Sequence, residues 1–440
     1  MITRLLSPSK GRALAASLSL MTLWGCGGDE DTGPSAPPRF VPELAAATYT
    51  AGHIEAAKRG ISLDEEDLFA INAGTSITLS EIDQGFGVLV LNRNYLDSPV
   101  VEADGNPCNL GDRTAEARPL ARSEAIIESL TRAGLTFDTV AVNVDLMRPD
   151  RGGLMWECFE AGAQSPRFGR TEHRENIIAM FEELAGLDNI AYITVGVGMN
   201  QYFHQSGEDG SLKDDYSNFM SLYREVYSAI KARNANIKVG PGISWTWFMG
   251  TTVPEITREL EALYPDEEIS ELEAVYVAWQ RTIAPLLRVP DGPGSDTNIA
   301  FADYLGVNLV PFTNQAPFQG NPAPEDNDAV ISHYSYLSLA ADGLPIAVPQ
   351  IDWTSEGRSG VNRKGPFLET VKAAISHVPL EFMAWRRFAD LDVTELPGRS
   401  SICETFTDRG FPRSLCFSGM LGASADERSP DVLDIFLTDP

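Results

Sequence analysis

The run Ile190-Ala191-Tyr192-Ile193-Thr194-Val195-Gly196-Val197-Gly198-Met199-Asn200-Gln201-Tyr202-Phe203 decides the fold. Its first six residues are apolar, aromatic or β-branched and predict a strand. Between Glu172 and Gly186 a helical stripe precedes it, with Ile177, Ile178, Phe181 and Leu184 on one face. A second helix is expected from Tyr216 to Arg233, where Phe219, Tyr223, Val226, Tyr227 and Ile230 line up. It leads into the β-rich Ile237-Lys238-Val239-Gly240. Strand, helix and strand at this spacing form a parallel crossover unit.

The alternation continues outward in both directions. Upstream lie Gly87-Val88-Leu89-Val90-Leu91, a helix from Glu124 to Ala133 with Ser123 placed to cap it, and the strand Thr139–Val144. The first strand is faint and is placed at Leu68–Asn72. Downstream lie Tyr304–Leu309, a helix over 328–342, Pro345–Val348, a helix over 366–378, and Leu380–Trp385. The segment Gly292-Pro293-Gly294-Ser295-Asp296 is expected to be a surface loop. Eight such units fit a (β/α)8 TIM barrel, an α/β fold in one domain over residues 40–440. A doubly wound sheet is the alternative, but Gly196-Val197-Gly198 lacks the third glycine of a dinucleotide-binding turn.

Composition bounds the function. The 440 residues are 43% hydrophobic and 22% charged, which excludes a disordered or collagen-like chain. Lys and Arg number 34 against 62 Asp and Glu, a net charge of −28. Such a surface repels phosphate backbones, so no nucleic-acid partner is expected. No HExxH, GxSxG or P-loop occurs, and the five histidines show no ligand spacing. No metal and no cofactor are expected, and the chain is expected to be a monomer. The acidic runs Asp64–Asp67 and Asp266–Glu268 suit solvated loops or helix starts.

The N-terminus is an address. Arg4, Lys10 and Arg12 precede the apolar stretch Ala13–Trp24, shorter than the ~20 residues that span a bilayer. It ends at Leu23-Trp24-Gly25-Cys26, which resembles a bacterial lipobox except for Trp24. That resemblance implies a signal peptide over 1–25, lipidation at Cys26, and an anchor in the cell envelope, with Gly27 favouring the outer membrane. An ordinary signal peptide or an uncleaved anchor is the alternative. Residues 26–39 form a flexible acidic tether. Cys108, Cys158, Cys403 and Cys416 remain, an even number that fits two disulfides after export. Cys108–Cys158 with Cys403–Cys416 is favoured by sequence proximity among three pairings. A zinc site is the rival, though no CxxC spacing supports it.

In a barrel the site lies at the C-terminal ends of the strands. Here those ends carry Asn143, Asp145, Asn200, Tyr202, Trp245, Trp247, Asn308, Gln350, Asp352, Trp353, Trp385 and Arg386. Amides pair with hydroxyl groups, and aromatic rings stack on the CH faces of a sugar. The plainer reading makes each of these aromatic residues a cap on the core.

Several segments resemble retaining glycoside hydrolases with a (β/α)8 barrel. Tyr192–Phe203 resembles their fourth-strand motif, Leu344–Trp353 the seventh-strand motif, Glu381–Trp385 the eighth strand, and Cys416–Gly422 the segment before the last helix. The resemblance covers about residues 120–437. It implies an acid/base Glu where Gly198 stands and a nucleophilic Glu where Gln350 stands. Retaining hydrolysis needs two carboxylates ~5–5.5 Å apart. Glycine and glutamine supply neither, and losing one general acid costs ~10²–10⁴ in rate. The expected function is therefore carbohydrate binding without catalysis. Asn143, Asn200, Tyr202, Asn308, Gln350 and Arg386 would serve as polar contacts, and Trp245, Trp247, Trp353 and Trp385 as platforms. One alternative is a glycosidase with relocated acids, Asp352 with Asp145, or Glu157. The other is a structural envelope lipoprotein without a ligand.

Overall fold

A computed structural model of the chain describes residues 54–63, 85–94, 119–146, 171–203, 211–292, 295, 297–309, 333–353 and 364–386, with isolated positions 44, 82 and 435. Eight parallel strands close into a barrel. They are β1 (Arg59–Ser62), β2 (Val88–Asn94), β3 (Thr139–Asp145), β4 (Ile190–Val195), β5 (Lys238–Ser244), β8 (Leu305–Leu309), β9 (Ile346–Ile351) and β10 (Leu380–Trp385). They neighbour one another in chain order, and β10 returns to β1 through Gly60 beside Ala384. Strands β6 (Arg288–Pro290) and β7 (Asn298–Ala300) form a separate antiparallel hairpin. Residues 292–296, expected to be a surface loop, lie between these two strands.

Helices supply the outer ring. Helix α1 (Pro119–Arg132) leads into β3, α2 (Thr171–Leu184) into β4, and α3 (Ser211–Arg233) into β5. After β5 come α4 (Val253–Leu263) and α5 (Glu271–Thr282). Then α6 (Leu337–Ala341) precedes β9 and α7 (Lys364–Ala374) precedes β10. Among the described residues, no helix is long and apolar enough to cross a membrane.

Strand parity divides the core in two. Leu89, Leu91, Val142, Val144, Ile193, Val195 and Val307 face outward into one large apolar cluster shared with the helices. The alternate positions Val88, Val90, Ala141, Tyr304, Ala347, Phe382 and Ala384 form a second cluster that fills the lumen, with Tyr192 against it. The lumen is tight because bulk and glycine face each other. A Cβ at Gly240 would lie 2.6 Å from the Tyr304 ring, and one at Gly242 would lie 1.8 Å from the Gly196 carbonyl oxygen. At the N-terminal end of the lumen, Lys238 Nζ lies 2.6 Å from Glu381 Oε2, which also accepts the Tyr192 hydroxyl at 2.9 Å.

Two expectations are corrected. The first barrel strand is Arg59–Ser62, whereas residues 68–72 lie outside the described part. Its sequence offers only one large apolar side chain, Ile61. Pairing with β2 and β10, not hydropathy, makes it a strand. Helix α1 begins at Pro119, so Ser123 is a buried residue within the helix and not its cap.

Candidate functional site

Where the lumen cluster ends, the same strand faces turn polar. Two residues beyond Val90 lies Asn92, and two beyond Ala141 lies Asn143. Asn308 follows Gly306 on the inner face of β8 and pairs in register with both Ser244 and Gln350. On β1, Ser62 shares the face of Gly60. These residues form a neutral polar layer at the C-terminal end of the barrel.

Their hydrogen bonds are specific. Asn143 Nδ2 and Gln350 Nε2 both donate to Asn92 Oδ1, at 3.0 and 2.9 Å. Asn92 Nδ2 donates to Ser62 Oγ at 2.9 Å. The Gln350 bond crosses from β9 to β2 over β10 and β1, where Ala384 and Gly60 leave room. Asn308 Nδ2 donates to the Ile243 carbonyl at 3.2 Å, which fixes how its amide is turned. The oxygens Asn143 Oδ1 and Asn308 Oδ1 are buried and have no partner. A buried acceptor left unmet costs ~1–3 kcal/mol, so these atoms have unused capacity for a hydroxyl donor.

The expected acid/base position is Gly198, which lies beyond β4 with φ +72°. An L side chain there would be strained. From Thr194 to Asn200 no residue is acidic. Gln350 lies near the end of β9, facing the polar layer. Asp145 ends β3 and Asp352 follows β9, strands that are four apart in either direction round the barrel, on opposite sides of the mouth. Asp352 is wholly buried, and its Oδ2 accepts from Arg386 Nη1 at 3.4 Å. The relocated-acid pair therefore places one carboxylate beside a guanidinium with no surface open to solvent.

The remaining site candidates divide. Asn200 is buried and clamps β4 to β5: its Nδ2 donates to the Ser244 carbonyl at 3.0 Å, and its Oδ1 accepts the Ser244 N–H at 2.8 Å. Trp245 and Trp385 are fully buried in the large apolar cluster, with Trp245 stacked on Phe248 and donating to the His333 carbonyl. Both are wall residues in this packing. Trp353 is half-buried, its ring 4.6 Å from that of Phe367. Trp247 is buried but belongs to neither apolar cluster, and its Nε1–H has no partner. Tyr202 lies in the short 3-10 turn Met199–Phe203, its side chain outside the described part. Glu157, Cys26, Cys108, Cys158, Cys403 and Cys416 also lie outside it.

Sequence reading missed Asn92, Ser62 and His333. For Asn92 the signal was available: the period-two face of Val88 and Val90 continues to it, past the strand end expected at Leu91. His333 carried no signal of its own. Its ring is buried, both nitrogens lack partners, and burial pushes its pKa down to about 4.

With this geometry in place, comparison with solved structures is informative. An exo-β-1,4-mannosidase from Opitutaceae bacterium strain TAV5 superposes with a TM-score of 0.53 at 13% identity, over 90% of this chain and 61% of that one. Both chains share the (β/α)8 barrel fold. A GH5_18 from Streptomyces cattleya in complex with GlcNAc gives a TM-score of 0.51 at 12% identity, over 87% of this chain and 80% of that one. A GH5_18 from Bifidobacterium longum subsp. longum ATCC 55813 gives 0.51 at 12%, over 87% and 78%. This chain thus spans 61% of the length of the mannosidase, and at these identities the likeness is one of fold. No family model matches the sequence, and no curated protein matches it.

Proposed function

We propose that the protein is an exported, lipid-anchored carbohydrate-binding barrel that does not hydrolyse its ligand. One observation carries this reading: the strand ends where the family resemblance expects two glutamates carry Gly198 and Gln350, and a neutral amide layer lines the mouth instead. Asn143 and Asn308 each keep a buried oxygen unmet, which suits the hydroxyl donors of a sugar. Asn92, Asn143 and Gln350 are linked by hydrogen bonds and so are pre-organised. Trp353, half-buried with its ring packed on Phe367, would serve as the stacking platform. Lipidation at Cys26 and the tether to residue 39 would hold this mouth at the envelope surface, with the outer membrane favoured.

The test is a glycan panel scored for binding by calorimetry and for product release, on a soluble form starting near residue 39. Binding without turnover is expected, and Gln350→Ala or Asn143→Ala should weaken it. Release of reducing sugar that Asp352→Asn abolishes would replace this reading with that of an active glycosidase. A chain that neither binds nor cleaves any glycan would leave the structural-lipoprotein reading.

A further inference from the structure

Several buried groups without a hydrogen-bond partner lie on β8 and in the segment after β5. Ser244, the last residue of β5, pairs in register with Asn308 on β8, and its Oγ accepts the backbone N–H of Trp247 at 3.2 Å. Asn308 and Trp247 are thus neighbours through Ser244. One carries an unpartnered acceptor, Oδ1, and the other an unpartnered donor, Nε1–H. Both residues are more than nine-tenths buried, at 3% and 8% exposure. Behind them, the turn Trp245–Trp247 runs into a π-helical turn, Phe248–Thr252. Single π turns concentrate at functional sites. Thr252 Oγ1, at its end, is buried without a partner. So are both ring nitrogens of His333, whose carbonyl receives the Trp245 Nε1–H.

These groups are all neutral. A tryptophan buried for packing alone would lie inside an apolar cluster, as Trp245, Trp279 and Trp385 do. Trp247 does not. An unmet donor and an unmet acceptor on residues that both adjoin Ser244 suit a group that both gives and takes a hydrogen bond. A hydroxyl does this, whereas a carboxylate only accepts and an ammonium only donates.

Resting on the carbohydrate reading above, we propose that the β5–β8 side of the mouth reads two neighbouring hydroxyl groups of one sugar ring, Trp247 Nε1–H donating to one and Asn308 Oδ1 accepting from the other. The central amides Asn143 and Gln350 hold the sugar, and this wall determines which epimer is accepted.

The test uses the full chain in detergent, labelled with 15N at the indole nitrogens and titrated with cellobiose, β-1,4-mannobiose and chitobiose. The Trp247 resonance, assigned by its loss in Trp247→Phe, should move on binding. Trp247→Phe and Asn308→Ala should each weaken binding about 3- to 10-fold, the worth of one hydrogen bond. A monodeoxy analogue lacking the contacted hydroxyl should bind the unmodified protein correspondingly less well and be indifferent to Trp247→Phe. This arm needs no altered protein to establish the first effect. If a disaccharide binds and depends on Asn143 and Gln350, while the Trp247 indole stays unmoved and both wall variants keep full affinity, the wall proposal is overturned and the binding reading stands. If none of the three sugars binds the unmodified chain, both are overturned for these ligands.

Discussion

Gly198 has a left-handed backbone, φ +72°, where the family resemblance expects a glutamate. A side chain in that region costs about 1–2 kcal/mol. Gly198→Glu should therefore lower stability to denaturant by about that amount, and Gln350→Glu should cost about 1–3 kcal/mol, because it sets a buried carboxylate oxygen against Asn92 Oδ1 in place of the Nε2–H donor. Chemical unfolding of each single variant against the unmodified chain measures both costs, and a Gly198 variant without loss would place the backbone at 198 elsewhere. His333 offers a pH test. Its pKa falls from 6.5 to about 4 because burial disfavours the charged ring. The unfolded chain takes up this proton below pH 6.5, whereas the folded chain resists until about pH 4. Stability from this residue is thus full above pH 6.5 and is lost as the pH falls toward 4, by about 3 kcal/mol. His333→Phe should remove that share of the acid sensitivity, measured as the difference between the two proteins' urea midpoints at pH 7 and pH 4.5. Parallel midpoints would show that the ring does not titrate as its burial requires.

At the scale of elements, the clearest device is the clamp between β4 and β5. Asn200 occupies both backbone groups of Ser244, and Ser244 in turn caps the turn that holds Trp247. Asn200→Ala leaves a buried N–H and a buried carbonyl unmet, at a cost of about 1–3 kcal/mol for each group. It should also loosen the 245–252 segment, visible as faster amide exchange there than in β9. Unchanged exchange would confine Asn200 to a local role. The same clamp leaves this asparagine's amide already engaged, a fact that only the approach of the 199–203 turn to the end of β5 reveals. The barrel wall itself depends on close approach. Gly240 and Gly242 admit the Tyr304 ring and the Gly196 carbonyl, so β5 can be rich in glycine and still be a strand.

For the whole molecule, the first 25 residues carry three basic and no acidic side chains, so their removal leaves a mature chain still more acidic than −28. Self-repulsion between such chains favours solubility, and an anchor, not charge, would keep the protein at a membrane. Cys26→Ser should shift the exported protein from the membrane fraction to the soluble one, read by fractionation and by loss of metabolic acyl labelling. Retention of both would overturn lipidation at this residue.

Most of the barrel was legible because its strands repeat one pattern. Thr139–Asp145 and Ile190–Val195 are buried on both faces, so they appear as short apolar runs, and helical stripes separate them. Arg59–Ser62 was not legible, since a four-residue strand with a glycine and a charge becomes a strand only by pairing with β2 and β10. The site was half legible. Asn143, Asn308 and Gln350 were legible as polar residues at the C-terminal ends of predicted strands. The engagement of Asn200, the burial of Trp385 and the partnerless ring of His333 did not.

Residue pattern alone determined the alternation of strands and helices, and with it the parallel barrel, because period and apolarity act over a few neighbours. It also determined the absence of acidic residues from 194 to 200. Tertiary structure alone decided which amides are spent inside the protein and which keep an unmet oxygen. That depends on groups distant in the chain meeting across the lumen, as Gln350 meets Asn92, and no local rule encodes such a meeting.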